Sequence, residues 1–520
     1  MDRSGTAALL CLTAAAAACT AAKEPPAGLG KAVFEGPVRS VSASPDGAWL
    51  AFLDACAEVT ASFLPPRTAR CDLRLVPSAG GAARKIASGV TTLPHGVSWA
   101  PEGGLLTALA DYDHAAAAGT LLLVRGGGAP EKVADRVAFH GFIPGGRVAA
   151  ISDGRLVQAE PGGAAEWMPD TGGLSSFDVD PGWTSRAPGE IATLLRRPVQ
   201  SGGALLAVPA RGSDRPAELA RRAGDYAFAP AGGAYAFTVQ EGSGYELRVA
   251  VAGGTPRPVG KRVRTFSFSG DGRFIAFIAE AEPGRQGNLH LSAVGETRTQ
   301  PLGREVGELR WARSAPRLAW LEKYDPRVRS GTLAAGGPGG PSRTFGANVS
   351  DFDLSPDGKH VAFLQHTTRG GYSVDLALGH LDGAAGQGPE AIAQGVFGFS
   401  FSPDGRWLYY RTRCVRSAEA CDLERVPAAG LAGGAKPEPV APGVKSFEFD
   451  PRDPGRLLVT WQRMDMAALD IGVWDGGKLT SIDTYVSPGS ARFLGPDSRR
   501  VAYVGVHPKR QGVYVAEVGR

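Results

Sequence analysis

The residues of this chain best suited to chemistry are its paired acids, its eight histidines and its six cysteines. Asp111-Tyr112-Asp113-His114 gathers oxygen ligands at a spacing that could coordinate a cation. It follows an alternating apolar run, however, where a solvated hairpin loop calls for the same residues, and the loop reading takes precedence. Asp351 with Asp353, and Asp178 with Asp180, are two residues apart among alternating apolar neighbours, which places them on outward faces of strands. His95, His114, His140, His290, His360, His366, His380 and His507 form no tight cluster in the sequence and read as separate loop or strand residues. No Gly-x-Ser-x-Gly elbow, His-Glu-x-x-His pair or phosphate-binding Gly-x-x-x-x-Gly-Lys-Ser/Thr loop occurs. The expectation is a chain with no catalytic residue, no cofactor and no metal site, and so not an enzyme.

The elements that must carry these residues are written as a repeat. Four segments are nearly verbatim: Val41 to Phe52 (VSASPDGAWLAF), Phe266 to Phe277 (FSFSGDGRFIAF), Phe352 to Phe363 (FDLSPDGKHVAF) and Phe399 to Tyr410 (FSFSPDGRWLYY). Each predicts strand, tight turn, strand, because alternating apolar residues flank the Ser, Pro and Gly that a type I turn favours. Weaker copies begin at Val97, Phe139, Phe177, Tyr226, Leu309, Phe447 and Arg492, giving eleven in all, spaced mostly by about 40 to 48 residues. That is the length of one four-stranded propeller blade. A third alternating run follows most hairpins, as at Tyr245 to Val249, and a glycine-rich turn leads to a short fourth.

The expected fold is therefore all-β: a β-propeller architecture of about eleven four-stranded blades. The last repeat stops after its third strand, at Val515 to Arg520, whereas Lys31 to Glu35 precedes the first repeat and resembles a fourth strand. The N-terminal strand is expected to complete the last blade and so cover a sheet edge. Single propellers typically hold four to eight blades, so the expectation is two joined propellers: residues 31–265 with about five blades, and residues 266–520 with about six, strand 31–35 completing the last. Residues 1–19 and 20–30 stand apart, as a signal segment and a tether.

Arg3, the apolar run Ala7 to Ala18 and then Ala16-Ala17-Ala18-Cys19 resemble a bacterial lipoprotein signal, which implies lipidation of Cys19; a plain secretory signal is the alternative. Thr20 after the cysteine points, by analogy with enterobacterial sorting, to the outer membrane rather than the inner. Cys56 and Cys414 each lie eleven residues after the turn proline of their repeat, and Cys71 and Cys421 both open third strands. Disulfides Cys56 to Cys71 and Cys414 to Cys421 are expected, in an exported, oxidising compartment. Formal charge is nearly balanced at +4, with arginines scattered through the chain, so nucleic acid is not an expected partner. Gly 72 and Pro 39 fit a protein built of turns.

The repeats resemble the WD40-like, or TolB-type, propeller repeat, whose signature is aromatic-Ser-Pro-Asp-Gly-Lys-x-Ile-Ala-Phe. The resemblance extends over nearly all of the chain beyond the signal segment. It implies a scaffold: a non-catalytic, lipid-anchored envelope propeller that binds envelope proteins or an envelope polymer. The alternative is an enzyme whose site is assembled from several blades, lyase or glycoside hydrolase-like. Paired carboxylates about 5 to 9.5 Å apart, one with a raised pKa, would mark that alternative.

Overall fold

The computed structural model describes residues 28–519 apart from 61–63, 144–145, 169–170, 180–190, 198–202, 210–214, 252, 281–285, 367–373, 384–386, 416–419, 432–434 and 463–467. The described residues are all-β, without an α-helix, and their strands form antiparallel sheets. Among them no helix is long and apolar enough to cross a membrane. Cys19 and Asp180 lie outside the described residues.

Successive strands pair as four-stranded meanders. Val38–Ala43, Trp49–Glu58, Ala69–Pro77 and Arg84–Thr91 form one. Elsewhere a single long strand serves two meanders. Arg343–Leu354 pairs through its first half with Ser330–Gly336 and through its second with His360–His366. Glu131–Ile143, Ala217–Phe228 and Glu438–Phe449 do the same, which is why some sheets carry seven or more strands.

The repeated turn has a specific chemistry. In the clearest copies the serine hydroxyl donates to the aspartate two residues on: Ser269 to Asp271 at 2.6 Å, Ser355 to Asp357 at 2.7 Å and Ser402 to Asp404 at 2.6 Å. The aspartate accepts a backbone N–H beyond the glycine, as from Lys359 at 3.1 Å. The serine oxygen in turn accepts the N–H that opens the second strand, from Trp49, Phe274, His360 and Trp407 at 2.9 to 3.0 Å. Gly47 and Gly358 hold φ near +70°, where a Cβ is strained. These aspartates are consumed by the turn.

Consecutive meanders share apolar cores. Ala362, Leu364, Leu376 and Leu378 pack on Leu408, Tyr410 and Val426 of the next meander. Val41, Leu50, Phe52 and Val76 of the first pack on Leu494, Ala502, Val504 and Val513 of the last. Lys31–Glu35 pairs antiparallel with Arg510–Glu517, Lys31 opposite Val515. Disulfides join Cys56 to Cys71 (S–S 2.06 Å) and Cys414 to Cys421 (2.04 Å). Each ties the end of a second strand to the start of a third, and the two bonds fit an oxidising, exported compartment.

Candidate functional site

The first strand of each meander bonds to a neighbour on one side only, so its other edge is where side chains from adjoining meanders can meet. Counting back from the turn gives equivalent positions: Arg310, Asp353, Ser400 and Glu448 each stand three residues before the turn's second residue (Arg313, Pro356, Pro403 and Pro451).

Asp351 and Asp353 lie on the regular part of their strand, opposite Leu364 and Ala362. Alternation puts both on one face, with Cα atoms about 6.7 Å apart at two residues of extended rise. Asp351 is ion-paired with Arg310 at 3.0 Å, and its Oδ1 accepts the Phe352 N–H at 3.0 Å. Arg310 also donates to the Phe352 carbonyl and lies over the Phe352 ring, 5.0 Å from its centroid. Asp353 is half-buried, and burial raises its pKa. The Leu354 N–H, Arg310 and Arg313 pull the other way, and Asp351 adds a further push upward. The two acids thus differ in environment: one held against a guanidinium, the other biased toward its protonated form. The expectation that both face outward holds for Asp351, whose side chain is 44% exposed, and is corrected for Asp353, which is half-buried.

The next repeat carries an exposed aromatic ring. Phe397 is 62% exposed, with the Arg411 guanidinium 5.1 Å from its ring centroid. Gly398 and Ser400, on the strand Gly398–Phe401 that follows, hold in their repeat the positions of Asp351 and Asp353. Arg411 also donates to the Lys445 carbonyl at 2.7 Å, linking its own strand, Trp407–Val415, to Glu438–Phe449.

The histidines are more organised than their sequence separation implies. His95 and His114 pack against Tyr112, and His140 joins them through His95: His95 Nε2 lies 3.0 Å from the Tyr112 hydroxyl, His140 Nε2 donates to the His95 carbonyl at 2.9 Å, and His114 Nε2 lies 3.2 Å from Thr91 Oγ1. Burial lowers the pKa of all three. His140 has both ring nitrogens engaged, the second with Thr107 at 3.4 Å, so it braces the meander interface; His95 alone is partly exposed. His360 and His380 meet Nδ1 to Nδ1 at 3.1 Å. Asp113 accepts the Ala115 and Ala116 N–H groups at 2.8 and 3.3 Å, as a loop cap does. No cluster of three or more metal-ligating side chains occurs among the described residues. Asp178 is likewise raised by burial, with its Oδ1 on the Val179 N–H at 3.0 Å, but its sequence companion Asp180 is not among the described residues.

No family model matches the chain, and no curated protein matches it. Solved structures do. It is similar to a eukaryotic initiation factor (12% identity, 70% of this chain and 94% of that one, TM-score 0.41). It is similar to the tricorn protease (13%, 90% and 56%, TM-score 0.24) and to prolyl oligopeptidase B from Galerina marginata (11%, 57% and 51%, TM-score 0.33). The chain thus spans about half the length of each of these two peptidases. Identities this low transfer no activity. A carboxylate pair of split environment on its strand edges gives no support to the expected non-catalytic scaffold, and that expectation is corrected.

Proposed function

We propose that this chain is an envelope enzyme of the glycoside-hydrolase type, acting on a polymer at a site assembled from neighbouring propeller blades. The single observation that carries the proposal is the Asp351/Asp353 pair. Two residues of extended strand set the Cα atoms about 6.7 Å apart on one face, a base from which the carboxyl groups can reach the roughly 5–9.5 Å separation that glycoside hydrolysis uses. Asp353, protonated more readily than an ordinary carboxyl, gives its proton to the glycosidic oxygen as the C–O bond breaks. Asp351 takes a proton from the attacking water, and Arg310 holds Asp351 in position. The exposed Phe397 ring offers a platform for a sugar face.

The same reading includes the scaffold. Eleven blades, of the WD40-like or TolB type, form one ring closed by Lys31–Glu35. In support, each core cluster joins consecutive meanders and one joins the last to the first. Two rings of five and six blades would need a core between the first meander and the fifth, and the clusters include none among the described residues. Cys19 carries the lipid, and the outer membrane holds the enzyme beside its polymer.

A second reading, β-elimination, has the His95–Tyr112 pair behind it: a partly exposed imidazole kept neutral by burial can take a proton. One experiment separates the two. Envelope polysaccharides are incubated with the full chain, scoring reducing ends against unsaturated product. Hydrolysis requires new reducing ends without unsaturation, lost by about 10²-fold or more in Asp353→Asn and kept in His95→Ala. The reverse pattern favours elimination, and no product from any polymer refutes both.

A further inference from the structure

Two repeats beyond the aspartate pair, a cavity of 230 Å³ opens between the strand Glu438–Phe449 and the segment around Ser487 to Ala491. Its polar lining is Ser446, Glu448, Thr460 and Ser487; its apolar lining includes Phe447, Leu458 and Ile471. Ser446 and Glu448 hold the positions in their repeat that Asp351 and Asp353 hold in theirs. The repeat between them contributes only Gly398 and Ser400 there, so nothing bulky at those positions separates the cavity from the acids.

We infer that this cavity is a subsite for one pyranose unit of a bound polysaccharide, resting on the glycoside-hydrolase reading above. Its size is below the roughly 300–1,000 Å³ of pockets that enclose drug-sized ligands, which fits a single ring. Strand pairing sets Ser446, Glu448 and Thr460 on the same sheet face as Leu458 and Ile471, so one wall offers a pyranose both hydrogen-bond partners and apolar carbon. Ser446 and Thr460 hydroxyls lie 2.7 Å apart, and one of them must present a free lone pair or proton outward. A second observation points to a missing polar group. Arg492, on the adjoining strand Arg492–Leu494, has a buried Nε with no hydrogen-bond partner among the described residues. Arg492 directly follows the lining residue Ala491 without lining the cavity itself; burial lowers its pKa while the charge of Glu448 opposes that shift. A sugar hydroxyl or carboxylate that extends past Ala491 would satisfy that donor.

The test uses the full chain with two probes, methyl β-glucopyranoside and methyl β-glucuronoside, and reads binding by saturation-transfer NMR, with no need for turnover. Both glycosides should bind. Thr460→Trp, which fills the cavity, and the milder Glu448→Gln should each weaken binding by about tenfold or more, and Asp353→Asn should leave it unchanged. A stronger loss for the glucuronoside in Arg492→Gln assigns the carboxylate to that donor; equal loss assigns a hydroxyl. Binding unaffected by both Thr460→Trp and Glu448→Gln, or no binding to either probe, overturns the subsite. Binding that is lost in these variants while Asp353→Asn still cleaves polymer leaves the subsite standing and removes the catalytic assignment instead.

Discussion

Replacing Asp483 by Asn probes how the N-terminal strand is held against the last meander. The Asp483 carboxylate, 3% exposed, accepts the Tyr503 hydroxyl at 2.6 Å and two Arg510 nitrogens at 3.1 and 2.8 Å. The incoming chain rests on this floor: a Cβ at Gly28 would fall 2.2 Å from Asp483 Cγ, and one at Gly30 only 1.9 Å from the Tyr503 hydroxyl oxygen. Leu29 N–H then donates to the Ile482 carbonyl at 2.9 Å, and Lys31–Glu35 begins. An amide keeps the shape but removes the charge, and turns one acceptor into a donor that faces a guanidinium. Removing one partner of a buried pair costs roughly 3–5 kcal/mol. Arg510 keeps about a fifth of its side chain in water, so solvent recovers part, and about 2–3 kcal/mol is expected. At about 1.4 kcal/mol per factor of ten, amides of Lys31–Glu35 and Arg510–Glu517 should exchange roughly 30- to 150-fold faster. Hydrogen exchange with mass spectrometry reads this directly, with Phe274–Ala279 as the reference. Equal acceleration in that reference strand, or none in Lys31–Glu35, would refute the clasp.

The two disulfides close segments of 15 and 7 residues, and loop-closure entropy assigns them about 3 and about 2.4 kcal/mol. Cys56→Ser with Cys71→Ser should therefore lower the denaturation midpoint more than Cys414→Ser with Cys421→Ser; the opposite order would contradict the entropic origin. His95, His114 and His140 have pKa values pushed below the unfolded value of about 6.5 by burial, so their contribution is present above that pH and is lost as pH falls through the folded values. Thermal scans should show the midpoint declining below pH 6.5, and a midpoint that rises there would contradict it. Asp353 carries the opposite sign for an acid. Its raised folded pKa means stability is lost as pH climbs from the unfolded carboxylate value through the folded one. Asp353→Asn should therefore raise the thermal midpoint at pH 7 even as it removes activity; a lower midpoint would contradict the burial argument. Small-angle scattering should give a radius of gyration above the roughly 24 Å of a compact chain this long, without the second maximum in the distance distribution that two separate rings produce.

Much of the scaffold was legible because the turn chemistry is local. Ser355, Pro356, Asp357 and Gly358 specify their hairpin by themselves, and the hairpins then serve as a ruler on which Cys56 matches Cys414 and Cys71 matches Cys421. Lys31 to Glu35 could be read as a strand lacking a partner for the same reason. The candidate site was less legible. Alternation places Asp351 and Asp353 correctly on one face, yet whether that face is wet depends on Arg310, forty residues away by sequence and adjacent only through the packing of successive meanders. His95, His114 and His140 come from three different strands or loops, and only folding brings the first two to Tyr112 and the third to the His95 carbonyl. The number of rings is also a property of which cores close on which, and a repeat spacing is the same for one ring or two. Ser446 and Glu448 carried a signal that position-by-position alignment of the repeats would have shown, since they occupy the aspartate positions two repeats later.

The most direct measurement is the rate at which the full chain releases reducing ends from envelope polysaccharide across pH, for the unaltered protein, Asp353→Asn and Asp351→Asn. Activity should fall on the alkaline side as Asp353 gives up its proton, and both variants should lose about 10²-fold or more in kcat with KM little changed. Full activity in both variants, or an alkaline limb that persists in Asp353→Asn, would contradict the assignment of these two carboxyl groups as the acid and base.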